Sequence, residues 1–167
     1  MPGTVSLKRY DRPPSRSGDA KPRGPVATVT SCRPLPSNFQ RKVAAGADSA
    51  ITQYFFNADA YWSFVEACVG RGIAIPIVPG IMPISSYTKL ARFSDACGAE
   101  IPRWIRRKLE SYGDDVGSIR AFGLDVVSRL CEELLEAGAP GIHFYTLNRS
   151  PATRAIFESL RTEGLVG

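Results

Sequence analysis

Three short apolar runs, separated by stretches with helical periodicity, constrain the fold of this chain more than any other feature. Ser49 to Phe56 (SAITQYFF), Ile73 to Val78 (IAIPIV) and Gly141 to Arg149 (GIHFYTLNR) are β-favouring and too short for core helices. The first two are nearly unbroken apolar sequence, as expected of strands buried on both faces of a parallel sheet. Between the first pair lies ADAYWSFVEACVGRG, with Tyr61, Phe64, Val65, Cys68 and Val69 on one helical face and a stop at Gly70 or Gly72. The order strand, helix, strand implies parallel β/α units.

The remainder of the chain follows the same logic. Residues 38–45 read as the end of a helix stopped at Gly46. Ser85 and Ser86 are good cap types for a helix running through Leu90, Phe93 and Ala96 to Gly98. Pro102 suits the first turn of a short helix carrying Trp104, Ile105 and Leu109. Residues 115–137 form the longest helical stretch, with Ile119, Phe122, Val126, Val127, Leu130, Leu134 and Leu135 recurring at helical spacing before Gly138. Only three strands are visible, whereas a closed eight-stranded β/α barrel takes about 250 residues. The expected fold is therefore α/β and part of such a barrel.

Residues 1–37 differ in character. They carry seven of the thirteen prolines, seven Lys/Arg against two Asp/Glu, and no alternating or helical period. They read as a disordered, basic, non-native segment preceding a domain at 38–167. The formal charge of +5 comes from this segment, because residues 38–167 hold fourteen basic and fourteen acidic residues. A neutral body speaks against a nucleic-acid partner. A tail bearing Lys8, Arg9, Arg12, Arg16, Lys21 and Arg23 could meet RNA, but apart from Tyr10 it lacks the aromatics of a stacking platform.

Cys32, Cys68, Cys97 and Cys131 lie about thirty residues apart, without a CxxC pair or a nearby histidine, so zinc-site spacing is absent. Reduced thiols are the expectation, in keeping with a cytoplasmic protein. Neither a signal-like apolar core nor an apolar run of about 18 residues occurs, which argues against a membrane partner.

The densest group of usable side chains ends the last run, where His143, Phe144 and Tyr145 lead into Leu147, Asn148 and Arg149 just before Ser150-Pro151. A strand ending in such a cluster, followed by a capped helix, is what the ligand-binding face of a β/α barrel looks like. Alternation puts His143 and Tyr145 on one side as packing residues. On residue type alone Gln53 reads as a strand amide, Phe93 as core, Lys89 as a solvated cation, and Arg149 as either an ion pair or a ligand contact.

Three segments carry a specific resemblance: RKVAAGADSAITQYFF (41–56), IPIVPGIMPISSYTKLARF (75–93) and GIHFYTLNR (141–149). Over about residues 38–161 the chain resembles the last three β/α units of methylenetetrahydrofolate reductase, a flavin-dependent TIM (β/α)8 barrel enzyme. The resemblance implies FAD-dependent reduction of 5,10-methylenetetrahydrofolate to 5-methyltetrahydrofolate with NAD(P)H as reductant, in one-carbon and methionine metabolism. It places Gln53, Lys89, Phe93 and Arg149 on the substrate, although some family members carry glutamine where this chain has Lys89. Asn38, Arg41 and Lys42 match positions that contact FAD. No catalytic residue is carried over, because the family's glutamate proton donor belongs to earlier strands.

The match breaks at Asn38, and Leu35 stands where the family has an acidic FAD contact. A truncated, frameshifted or misassigned reading frame is therefore expected, with a chain inactive by itself. Its partners would be a complementary barrel half or a homo-oligomer. The alternative is a non-catalytic barrel fragment or interaction module.

Overall fold

The computed structural model describes residues 26–29 and 37–167, with side chains from Phe39 onward. Its centre is a parallel sheet of four strands in the order β1-β2-β3-β4, made by Val26–Val29, Ser49–Tyr54, Ile77–Ile81 and His143–Phe144. Helices fill the connections: α1 (Ser37–Ala44), α2 (Ala58–Val69), then α3 (Tyr87–Cys97), α4 (Arg103–Ser111) and α5 (Val116–Glu136), with α6 (Pro151–Thr162) after β4. Consecutive strands pair in parallel, so every connection crosses back over the sheet.

β1 corrects the reading of residues 1–37 as a structureless segment. Val26 to Val29 pair with Ser49 to Thr52 across four residues in register. The run VATV is β-branched but too short to show a period, and its pairing partner supplies the order that its composition does not reveal. The basic residues from Lys8 to Arg23 lie outside the described residues.

The predicted helices are present, but the strands shift. β3 runs Ile77–Ile81, so it starts later than expected and continues through Pro79-Gly80 instead of stopping there. Proline is tolerated because the β2–β3 register breaks between Ile51 and Tyr54, the kind of irregularity where a missing N–H is harmless. The last run contributes only His143 and Phe144 as a strand; it turns away at Thr146. On α2, Tyr61, Phe64 and Cys68 are buried as predicted, whereas Val69 is 66% exposed.

Burial along β2 alternates. Ala50, Thr52 and Tyr54 are buried, while Ser49, Ile51 and Gln53 on the opposite face are only half-buried. The buried side meets the helices: the Tyr54 hydroxyl lies 3.0 Å from Ser94 Oγ on α3. From α2, the Tyr61 hydroxyl donates to the Ile77 carbonyl at 2.7 Å. Ile81, Ile105, Leu109, Val127, Leu134, Ile156 and Leu160 complete the apolar interior. Burying a side chain of this size contributes about 1.5–3 kcal/mol, which makes this layer the main stabilising feature.

Candidate functional site

Thr52, Gly80 and Tyr145 tie the C-terminal ends of three strands together. Thr52 is fully buried, and its hydroxyl accepts the Gly80 N–H at 2.8 Å. The Tyr145 hydroxyl donates to the Thr52 carbonyl at 3.0 Å, and Tyr145 N–H donates to the Ile81 carbonyl at 2.8 Å. Only glycine fits between them, because a Cβ at position 80 would come within 2.3 Å of the Thr52 carbonyl oxygen and 2.7 Å of the Tyr145 ring. Burial raises the Tyr145 hydroxyl above its ordinary pKa, keeping it a donor in the neutral range. His143 and Tyr145 share a side as expected, their rings in edge contact with centroids 4.9 Å apart.

Beyond this junction the chain makes a tight turn. Arg149 N–H donates to the Thr146 carbonyl at 2.9 Å, while Leu147 and Asn148 both adopt positive φ, 49° and 60°. This is a turn with two left-handed central residues, which Asn accepts readily and Leu does not. It sets Arg149 immediately before α6.

A cavity of about 680 Å³ opens here, between the ends of β3 and β4 and the helices α3, α5 and α6. That is the size of a cofactor or small-molecule site. Lys89 and Phe93 from α3 and Arg149 from the turn all line it, with Tyr145 and Leu147. Phe93 is 40% exposed, so it is a cavity wall and not the core residue that helical periodicity alone suggests.

Gln53 does not line this cavity. It stands at the C-terminal end of β2 on the half-buried face, and its side-chain oxygen accepts the Tyr54 N–H at 3.1 Å. Arg41 and Lys42 sit exposed in the last turn of α1, and the side chain of Asn38 lies outside the described residues. The structure thus gathers Lys89, Phe93 and Arg149, and leaves Gln53 at the end of β2 and the two cations in the last turn of α1 outside that cavity.

Two features escaped the sequence reading. Arg120 on α5 also lines the cavity, flanked one turn either side by Val116 and Leu124. An arginine in the middle of an apolar i, i+4, i+8 stripe was the available signal. Gly123 lines it too, and a Cβ there would lie 2.4 Å from the Ile84 carbonyl oxygen, so α5 presses directly on the segment after β3.

Among the described residues no group of His, Cys, Asp and Glu could hold a metal ion, and no helix is long and apolar enough to cross a membrane. Cys68 and Cys131 are buried, and burial pushes their thiols up to about 11 and about 12. Thiols so shifted are poor nucleophiles at neutral pH.

Comparison with known proteins supplies the context. The family model described as methylenetetrahydrofolate reductase matches residues 20–161, which includes β1. The chain is similar to the 5,10-methylenetetrahydrofolate reductase of Escherichia coli (strain K12), 37% identical over 123 residues covering 74% of this chain and 42% of that protein. The Buchnera aphidicola subsp. Baizongia pistaciae protein of the same description is 39% identical over 75% of this chain and 43% of its own length. A rice protein (Oryza sativa subsp. japonica) described as a probable methylenetetrahydrofolate reductase (NADH) is 38% identical over 72% of this chain and 20% of its own length. The chain spans about two-fifths of the length of the bacterial relatives. Among solved structures, a Clostridium thermocellum protein described as binding two copies of 5-methyl-5,6,7,8-tetrahydrofolic acid superimposes with a TM-score of 0.51. It is 22% identical and the match covers 77% of this chain and 48% of that one, a likeness of fold.

Proposed function

The chain belongs to the methylenetetrahydrofolate reductase family, and from that premise we propose that it forms the closing strands of a (β/α)8 barrel that reduces 5,10-methylenetetrahydrofolate to 5-methyltetrahydrofolate. The observation that carries this reading is the convergence of Lys89, Phe93 and Arg149 on one cavity at the C-terminal ends of parallel strands, the face on which such barrels bind their ligands. NAD(P)H would be the reductant, and a cytoplasmic setting suits such an enzyme.

FAD, when bound, supplies the hydride-transfer chemistry. Arg41 and Lys42 carry the positive charge that its diphosphate requires, and both are exposed. Neither lines the cavity at the ends of β3 and β4, so on this reading they meet the FAD phosphates from outside the substrate cavity. Asn38 would add a third contact.

The remaining roles belong to substrate. Gln53, at the end of β2, offers a donor and an acceptor that match a pterin edge, once its oxygen exchanges the Tyr54 N–H for ligand. Phe93 presents an apolar ring to the flat ligand. Arg149 and Lys89 meet its anionic end, Arg149 with a planar fork suited to carboxylate.

Calorimetric titration of the chain with 5-methyltetrahydrofolate tests the reading. Saturable binding is expected, weakened about tenfold or more in Arg149→Ala, as for loss of one charge-assisted hydrogen bond. Absence of binding, or equal affinity in Arg149→Ala, would overturn it.

A second reading is favoured by the open sheet. Among the described residues β1 and β4 each pair on one side only. Such edges suit an interaction module completed by another chain, whether a complementary barrel half or a second copy. Flavin content separates the two: purified chain that carries yellow FAD and passes electrons from NADH to a quinone supports the reductase, and colourless chain supports the module.

A further inference from the structure

We propose that the cavity beside β3 and β4 is a subsite for a multiply anionic ligand tail, and that Arg120 binds that tail together with Lys89 and Arg149. The three cations come from three different elements, α5, α3 and the turn before α6, yet line one space. Among the described residues no aspartate or glutamate lines it, although basic and acidic residues are equal in number over residues 38–167. The ion pairs Arg129–Asp125 and Arg154–Glu158 engage none of the three.

The backbone adds positive potential from the same directions. α3 and α6 both begin at this cavity, lined there by Ser86 and by Pro151 and Ala152, and neither helix has a side-chain hydrogen bond at its N-cap, Ser86 or Ser150. Helix N-termini left open in this way attract anions. The residues beside Arg120 also favour a bound molecule over open solvent: Val116 and Leu124 are 49% and 37% exposed, apolar surface that a ligand would cover.

The ligand's identity rests on the functional reading above; the charge of the subsite does not. Two sources of the shared chemistry exist within that reading, the carboxylates of a folate's glutamate tail and the phosphates of a nicotinamide dinucleotide.

Calorimetry on the whole chain with two probes, pyrophosphate and a γ-linked triglutamate peptide, tests the proposal in the wild type, Arg120→Gln and Arg129→Gln. Arg120 and Arg129 are both exposed on α5, so each change removes one charge from the same helix without disturbing the core. The expected result is binding of at least one probe, weakened about tenfold in Arg120→Gln and unchanged in Arg129→Gln, with affinity falling as salt rises. The probe that responds identifies the source. Failure of both probes to bind, or equal weakening in the two variants, would overturn the subsite. If methyltetrahydrofolate still bound in an Arg149-dependent way, that result would leave the functional reading standing. Arg120-dependent probe binding without any folate binding would do the reverse.

Discussion

Leu147 is the residue whose conformation most needs an explanation. A non-glycine side chain in the left-handed region costs about 1–2 kcal/mol, and here Leu147 and Asn148 occupy it in succession. Leu147 is 51% exposed, so little core packing offsets the strain; what the turn achieves is the placement of Arg149 at the cavity. Leu147→Gly is therefore expected to match or exceed the wild type in stability, and Leu147→Val, β-branched at positive φ, to fall about 1 kcal/mol or more below Leu147→Gly in denaturant unfolding. Equal stability of the two variants would remove the claim of strain. Thr52 makes the opposite case, a polar side chain that the interior requires. Thr52→Val keeps the shape but leaves the Gly80 N–H without its acceptor, at an expected cost of about 1–3 kcal/mol, which Thr52→Ser should largely restore. If the serine variant were no better than the valine, the hydroxyl would not be what holds the strands together. Neither residue announces this role in sequence, since Thr52 reads as one more β-former and Leu147 as one more apolar residue.

Whole elements were far more legible than their ends. α2, α3, α4 and α5 follow from apolar spacing and from stops such as Gly98, which takes the left-handed conformation the sequence suggests. Strand limits follow from partners instead: β3 runs through Pro79-Gly80 because β2 breaks register there and Thr52 receives the Gly80 N–H. β1 was illegible for the same reason, its four residues gaining meaning only beside β2. Within the site, Lys89, Phe93 and Arg149 follow from resemblance to a family, while Arg120 acquires significance only once α5 is packed against α6 and the segment after β3. Gly123 shows how closely that packing is set. In an open helix Gly→Ala stabilises by about 1 kcal/mol, but here the added Cβ would meet the Ile84 carbonyl oxygen at 2.4 Å and the Ile84 Cβ at 2.7 Å. Gly123→Ala is thus expected to lower the melting temperature and to weaken ligand binding, because α5 and the segment after β3 both wall the cavity. A raised melting temperature would mean that the helix moves aside without cost.

At the scale of the molecule, the buried acids all shift in one direction. Burial raises the Cys131 thiol from its ordinary 9.0 to about 12 and Cys68 to about 11, and raises the tyrosines Tyr54, Tyr61 and Tyr145 as well. For Cys131 the unfolded chain gives up its proton near pH 9.0, whereas the folded chain holds it until about 12. Between those values the folded state binds more protons than the unfolded state, so stability must fall as pH rises. Below pH 9 both states are protonated and the group has no such effect. The slope from Cys131 alone approaches about 1.4 kcal/mol per pH unit inside that window. Replacing it by alanine leaves a cavity and lowers stability below pH 9, but removes this slope. Denaturant midpoints measured from pH 8 to 11 should therefore decline less steeply in Cys131→Ala than in the wild type, even though the variant starts lower. Parallel curves would show that the thiol is not shielded as the fold requires. The same test bears on the site, because α5 carries both Cys131 in the interior and Arg120 at the cavity. Where rising pH tips the protein into unfolding, anion binding should therefore be lost in the same pH interval.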